Sequence, residues 1–326
     1  MNLARFLVHL SDLALADPDN YVQPGHNGPY NDPETSLRNK GHWLITFVRA
    51  YEITQKTKYL DVVKNLVDHL VSDKARPNGF SFYHRFKEGK DRCNGLIGQA
   101  WTFEALAHAS RITEEPKYAE LGEKVFFEHP FNDNLGLWNR LEIDGDILSI
   151  DDTFNHQLWF AACASLLKAK RQKKLYERII RFLDIVQNNL IVLDNGLIYH
   201  PIKNKINSKE PKISSKSKFK QSVKELFIPQ KGIKWKIARS SVRAKDKMIY
   251  KSIGYHHFNM YAFAMLKESV PDHPFWNSPG FRRSINYLLS GEFKRELSDN
   301  MYGYPYNPPG FEVPYALTIL SNLSED

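Results

Sequence analysis

At 326 residues, 42% of them hydrophobic and 25% charged, the chain is long enough for one large domain or two small ones with a sizeable core. Its two cysteines, Cys93 and Cys163, lack metal-ligand spacing and the density of a disulfide framework, which excludes a cysteine-stapled secreted scaffold and predicts a reducing compartment. The net charge of +8 belongs to one stretch: Lys203–Lys251 holds 16 Lys/Arg against three acids, leaving 29 basic and 34 acidic residues elsewhere, so a surface built for nucleic acid is excluded.

In chain order, Met1–Leu10 is apolar, but Asp12 and Asp17 follow closely and no small-residue cleavage site appears, so no signal peptide is expected. No apolar run approaches the roughly 18 residues of a membrane-spanning helix, and the expected location is cytoplasmic. Polar groups then collect at His26, Asn27, Tyr30, Asn31, Asp32, Glu34, Arg38 and His42. A helical unit follows: Trp43-Leu-Ile-Thr-Phe-Val-Arg-Ala-Tyr, then Lys58-Tyr59 opening a one-sided apolar stripe over Lys58–Val71, then Asn78-Gly79-Phe80. Asn and Gly tolerate positive φ, so the last element predicts a tight reversal into a short extended stretch.

The unit recurs. Trp101 lies 58 residues after Trp43 inside Gly98–Ile112, apolar on most sides and therefore a buried helix, with Lys117-Tyr118 and Asn134-Leu135-Gly136-Leu137-Trp138 after it. Trp159 opens a third copy another 58 residues on, with its outer helix at Leu175–Leu190 and its turn at Asn195-Gly196. Basic sequence interrupts next: Lys203–Lys220 is Lys/Ser-rich and predicted as a mobile insertion. Leu226–Pro229 and Ile233–Ile237 alternate apolar with basic and are predicted as a short strand pair or lid. A fourth copy starts near Tyr261, 102 residues after Trp159 where two repeats would span 116, with its turn at Met301-Tyr302-Gly303-Tyr304; a partial fifth starts at Tyr315.

A helical hairpin of this kind buries its faces by stacking on neighbours, and buried helices alternating with amphipathic ones give two concentric layers. The expected fold is all-α: an (α/α)5–6 toroid of about ten helices in one domain over residues 1–326, with β-hairpin turns at the cavity rim and 203–251 as a basic insertion or lid.

The order of inner helix, short turn, Lys-Tyr, outer helix and Asn-Gly turn, over residues 37–200 and 255–322, resembles the six-hairpin glycosidase and N-acylglucosamine-epimerase-like toroids. Ser149-Ile150-Asp151-Asp152-Thr153-Phe154 resembles the helix start of unsaturated glucuronyl hydrolases, which implies an Asp as general acid/base. Asn155-His156-Gln157-Leu158-Trp159 resembles the Asn-His helix start of toroidal uronate lyases, which implies an Asn on the substrate carboxylate and a His or Tyr taking the C5 proton.

If the ring closes, the inner-helix entrances converge on one cavity rich in carboxylates, imidazoles, arginines and phenols. The leading expectation is a glycoside hydrolase for an acidic saccharide, with Asp152 as proton donor or water activator and Asp151 or Glu312 as second carboxylate. The alternatives are an epimerase or lyase using His156 or His257 as base, and a non-catalytic glycan-binding protein. Substrate contacts are expected from His26, Tyr30, Asp32, Arg38, His42, His84, Arg92, Asn94, Gln99, Asn155, Tyr255, His256 and Tyr304. No metal or cofactor is expected, since no His-Glu-x-x-His, Walker loop or Gly-x-Gly-x-x-Gly occurs. The basic segment is read as a gate for an anionic glycan or a contact with an acidic membrane surface.

Overall fold

The alternation of all-round apolar and one-sided segments sorts the chain into two helical layers. The computed structural model describes residues 2–25, 27–203 and 230–320. The inner layer comprises α2 (Leu37–Thr54), α4 (Gly95–Thr113), α6 (Phe154–Ser165), α8 (Gln230–Ser269) and α11 (Pro309–Leu320), each packed on the next in that order. Behind them stand α1 (Leu3–Ala16), α3 (Thr57–Leu70), α5 (Pro116–Glu128), α7 (Gln172–Asn189) and α9 (Pro279–Leu289), followed by the short α10 (Gly291–Leu297). Trp43, Trp101 and Trp159 all lie on inner helices, as the repeat requires. The conserved spacing of Lys-Tyr pairs also has a physical reason. Tyr59 and Tyr118 are buried at the starts of the outer helices α3 and α5, and each neighbouring lysine lays its ammonium about 5 Å over the ring, at 4.9 Å for Lys58 and 5.0 Å for Lys117.

The Gly-aromatic turn after α5 forms rim strands. Phe131–Asn132 (β1), Leu137–Leu141 (β2) and Ile147–Ile150 (β3) pair antiparallel in the order β1-β2-β3, with Phe131 opposite Trp138 and Asn139 opposite Ile150. Gly136, between β1 and β2, has φ of 61°, a conformation that favours glycine. The next inner helix then grips its rim strand through a buried amide. Gln99 on α4 accepts from the Phe82 N–H at 2.8 Å and donates to its carbonyl at 3.1 Å. Gln157 on α6 does the same to Trp138, at 2.9 Å for each bond. These glutamines stand 58 residues apart, so the clamp is part of the repeat. Replacing Gln157 by Ala takes the amide partner from the Trp138 N–H and leaves its carbonyl only the 3.4 Å Asp151 N–H, and is expected to cost about 1–3 kcal/mol, read by chemical denaturation.

Most of the aromatic content serves interlayer packing. Trp138 is fully buried among Phe131, Phe126, Phe160 and Phe182, its ring centroid 4.6, 5.7, 5.4 and 5.6 Å from theirs. A second cluster, Phe263, Phe275, Trp276 and Phe281, ties α8 to α9. The ring is joined across its ends at the rim, where the Tyr30 hydroxyl meets that of Tyr255 at 2.9 Å and the Tyr30 ring lies 6.1 Å from Tyr306.

The basic segment departs from expectation where it is described. Ile233–Ile237 lies within α8, a 40-residue helix, and is not half of a strand pair. Its alternating pattern is too short to impose a period of two on a segment continuous with a long buried helix. Leu226–Pro229 and residues 204–220 lie outside the described residues. Among the described residues, no helix is long and apolar enough to cross a membrane.

Candidate active site on the inner face of the ring

Helical geometry presents one position per turn of each inner helix to the middle of the ring. The series is Arg38, His42 and Arg49 on α2; Trp101, Glu104 and His108 on α4; His156, Trp159 and Cys163 on α6; Tyr255, Phe258 and Tyr261 on α8; and Glu312 and Tyr315 on α11. Ring contacts link them across helices. His42 stands edge-on to Trp101 at 5.8 Å, Arg38 lies 5.1 Å over the same indole, Trp159 stacks on Phe258 at 4.2 Å, and Tyr261 packs on Tyr315 at 4.7 Å.

Each inner helix carries at least one polar group with no hydrogen-bonding partner among the described residues, among them the His42 imidazole, the Glu104 carboxyl, Nε2 of His156, the Tyr261 hydroxyl and Oε2 of Glu312. Buried polar atoms are normally paired, and Glu312 Oε2 is not; His156, Glu104 and Tyr261 are half-buried and His42 is exposed on the inner face, so the set is open to a polar ligand. Burial governs their protonation. It pushes Glu104 up to about 7, with Arg49 opposing, and Glu312 up to about 8; it pushes His42 down to about 4, helped by Arg38.

One pair is organised for proton transfer. Asp151 Oδ2 lies 2.8 Å from His156 Nδ1 and also accepts from the backbone N–H of Leu96, at 3.1 Å, in the first turn of α4. Its Oδ1 accepts from the Thr153 N–H at 3.2 Å. Burial alone would raise the Asp151 pKa, but the His156 ring, the Leu96 N–H and Arg140 together hold it below the ordinary carboxylate value. A helix N-terminus aimed at the carboxylate is part of that stabilisation. The Asp151 carboxylate accepts from Nδ1–H of His156 in the tautomer that leaves Nε2 as a lone-pair acceptor, on a side chain 26% exposed. Gly95 makes room for this: a Cβ there would stand 2.6 Å from Asp151 Oδ2 and 3.0 Å from His156 Nδ1.

The other expected site residues divide by placement. Arg38 reaches Glu34 at 3.4 Å beside Trp101, and Tyr30 and Tyr255 join Tyr306 at the rim. Asp32 is buried under Lys90, 2.6 Å away, and Arg85, 3.7 Å away. Asn155 is buried with its Oδ1 unpaired, and Asn94 occupies the N-cap of α4 at φ of 55°. Asp152 is half-buried at the rim, where its carbonyl accepts from Ile202. Four residues sit in the core: Gln99 in its clamp; His84 on Thr102 at 2.9 Å; His256 between the Ile198 N–H and the Ser284 carbonyl; and His257, whose Nε2 donates to the Asn307 carbonyl at 3.0 Å. The 3.5 Å approach of His257 to Glu312 is not an ion pair, because burial keeps both groups neutral. Arg92 and Tyr304 face outward, Arg92 pairing with Asp144. His26 lies outside the described residues.

Sequence reasoning missed Glu104 and Tyr261. The available signal was phase: Glu104 follows the repeat Trp101 by three residues, as His156 precedes Trp159 by three, so all share one helical stripe.

No family model matches the chain. It is 40% identical over 314 residues to archaeal glycosylation protein Q of Haloferax volcanii, spanning 95% of this chain and 81% of that protein. Its fold is similar to that of a sugar epimerase from a ruminal bacterium, with a TM-score of 0.56, 12% identity and coverage of 98% and 87% of the two chains. It is also similar to cellobiose 2-epimerase from Bacillus thermoamylovorans, with a TM-score of 0.52, 12% identity and coverage of 88% and 74%. The fold is that of the six-hairpin glycosidase-like toroids, and on the extent of its identity the chain belongs to the family of archaeal glycosylation protein Q.

Proposed function

We propose that this chain is a sugar-modifying enzyme that removes a proton from a carbon of an acidic saccharide, with His156 as base, Asp151 as its orienting anion and Glu312 as a proton donor. The observation that carries this reading is the 2.8 Å Asp151–His156 pair, with Nε2 left open on the inner face. An imidazole oriented by a buried carboxylate is built to accept a proton. The C–H bonds of a sugar within its reach are those beside a carbonyl or carboxylate, which is why a uronic acid fits. Proton return to the opposite face inverts the carbon; loss of a β-oxygen substituent instead forms a double bond. The name of the relative, archaeal glycosylation protein Q, associates that protein with glycosylation, which accords with a sugar substrate.

Hydrolysis is the second reading, favoured by one observation. A carboxyl held up at about 8 is protonated at neutral pH, as a glycosidic general acid must be. Incubation in D2O with uronic acids and uronate-containing oligosaccharides separates the two. Deuterium at carbon, with or without a new double bond, supports proton abstraction; a new reducing end without carbon-bound deuterium overturns it in favour of hydrolysis.

Under either reading Glu312 acts in its protonated form, which is present below its raised pKa and lost as pH rises through about 8. Turnover is therefore expected to fall about tenfold for each unit of pH above 8. Glu312→Gln should be slow and lack this alkaline limb; an unchanged limb in that variant removes Glu312 from the role.

A further inference from the structure

Farther along the inner helices than His156, the inner face holds polar groups for which proton transfer has no use. Glu104 is faced from four directions: Tyr261 on α8, Tyr315 on α11, Cys163 on α6 and Arg49 on α2 all interact with it electrostatically. The Tyr261 ring lies 5.6 Å from Trp159 at an interplanar angle of 8°. The Glu104 carboxyl and the Tyr261 hydroxyl have no hydrogen-bonding partner among the described residues. A carboxyl kept for stability would claim the nearby guanidinium, yet Arg49 bonds Glu52 at 2.8 Å, and Glu52 also takes Arg111 at 2.6 Å. An unclaimed carboxyl and an unclaimed phenol, the phenol ring fixed between Trp159 and Tyr315, match the hydroxyls at the edge of a pyranose.

We infer that Glu104 and Tyr261 form a hydroxyl-binding subsite, with the Tyr261 ring held in place by its stack on the buried Trp159, that sets how deep a sugar ring enters and so which carbon meets His156. The inference rests on the proton-abstraction reading for the role of His156, but the subsite is tested by binding alone. Burial holds Glu104 near neutrality, at about 7, so below that pH the floor presents a donor as well as an acceptor and does not repel an anionic sugar.

Calorimetric titration of the full chain at pH 6.5 with D-glucuronic acid, D-galacturonic acid and D-mannose tests this. At least one sugar should bind the unaltered protein. Glu104→Leu and Tyr261→Phe should each weaken that sugar about tenfold, the usual yield of one lost hydrogen bond in a dry site. Glu104→Gln, which keeps a donor and an acceptor, should stay within about threefold. Where Glu104→Leu does not fold, Tyr261→Phe carries the same expectation. Absence of binding by all three sugars, or equal affinity in the folded variants, overturns the subsite. His156→Ala separates the two claims: in that background Glu104→Leu and Tyr261→Phe should still each weaken sugar binding about tenfold while deuterium exchange is lost. Exchange retained in His156→Ala sinks the reaction and leaves the subsite standing, whereas unchanged affinity in Glu104→Leu and Tyr261→Phe sinks the subsite and leaves the reaction.

Discussion

His156→Ala is expected to lower turnover by about 10²–10⁴-fold, the range for losing a positioned general base, while leaving the fold intact. The side chain is 26% exposed and its one hydrogen bond is to Asp151, so little packing is lost. Asp151→Asn is expected to come close to the same loss by another route. An amide can donate to Nδ1, which moves the imidazole proton to Nε2 and turns the base away from its task. The two effects should not multiply, since both remove one function, and the double variant should resemble His156→Ala. Deuterium incorporation measured beside circular dichroism checks this. Full activity in folded His156→Ala would remove the dyad from the chemistry, and attention would pass to Glu312 and Asp152.

Trp138→Ala should have the largest effect on stability, about 3–5 kcal/mol by the usual cost of deleting a buried indole. Four rings from β1, α5, α6 and α7 close around it, so the void cannot be filled by one neighbour moving. Trp138→Phe should cost far less, within about 1.5 kcal/mol, as expected of apolar exchanges that keep most of the volume. It also removes an indole N–H that is buried without a partner. Denaturant midpoints of the two variants at equal m-value read the difference. Equal losses for Ala and Phe would mean that the ring cluster is not what joins the layers at this point.

Local pattern alone determined the architecture. The 58-residue spacing of Trp43, Trp101 and Trp159, the all-round apolar helices and the one-sided stripes were enough to predict two layers, because helical periodicity records which faces are buried wherever the partner lies. The same pattern could not say which partner a polar residue takes. Asp151 stands before α6 and reads as a second carboxylate beside Asp152, yet its Oδ2 is spent on His156 and on Leu96, 55 positions earlier in the chain, at the head of α4. His256 and His257 read as adjacent candidates, but both ring systems are buried, and their bonds run to Ser284 and Asn307. Glu104 reads as an ordinary charge in a helix rich in Ala, and only the closing of four other helices around it makes its carboxyl a desolvated, unpaired group. Ile233–Ile237 alternates like a strand, yet belongs to a 40-residue helix. Burial is a property of a face and is written in the spacing of residues along it. Hydrogen-bond partners and desolvation come from chain segments far apart in sequence, so only the tertiary structure decided them.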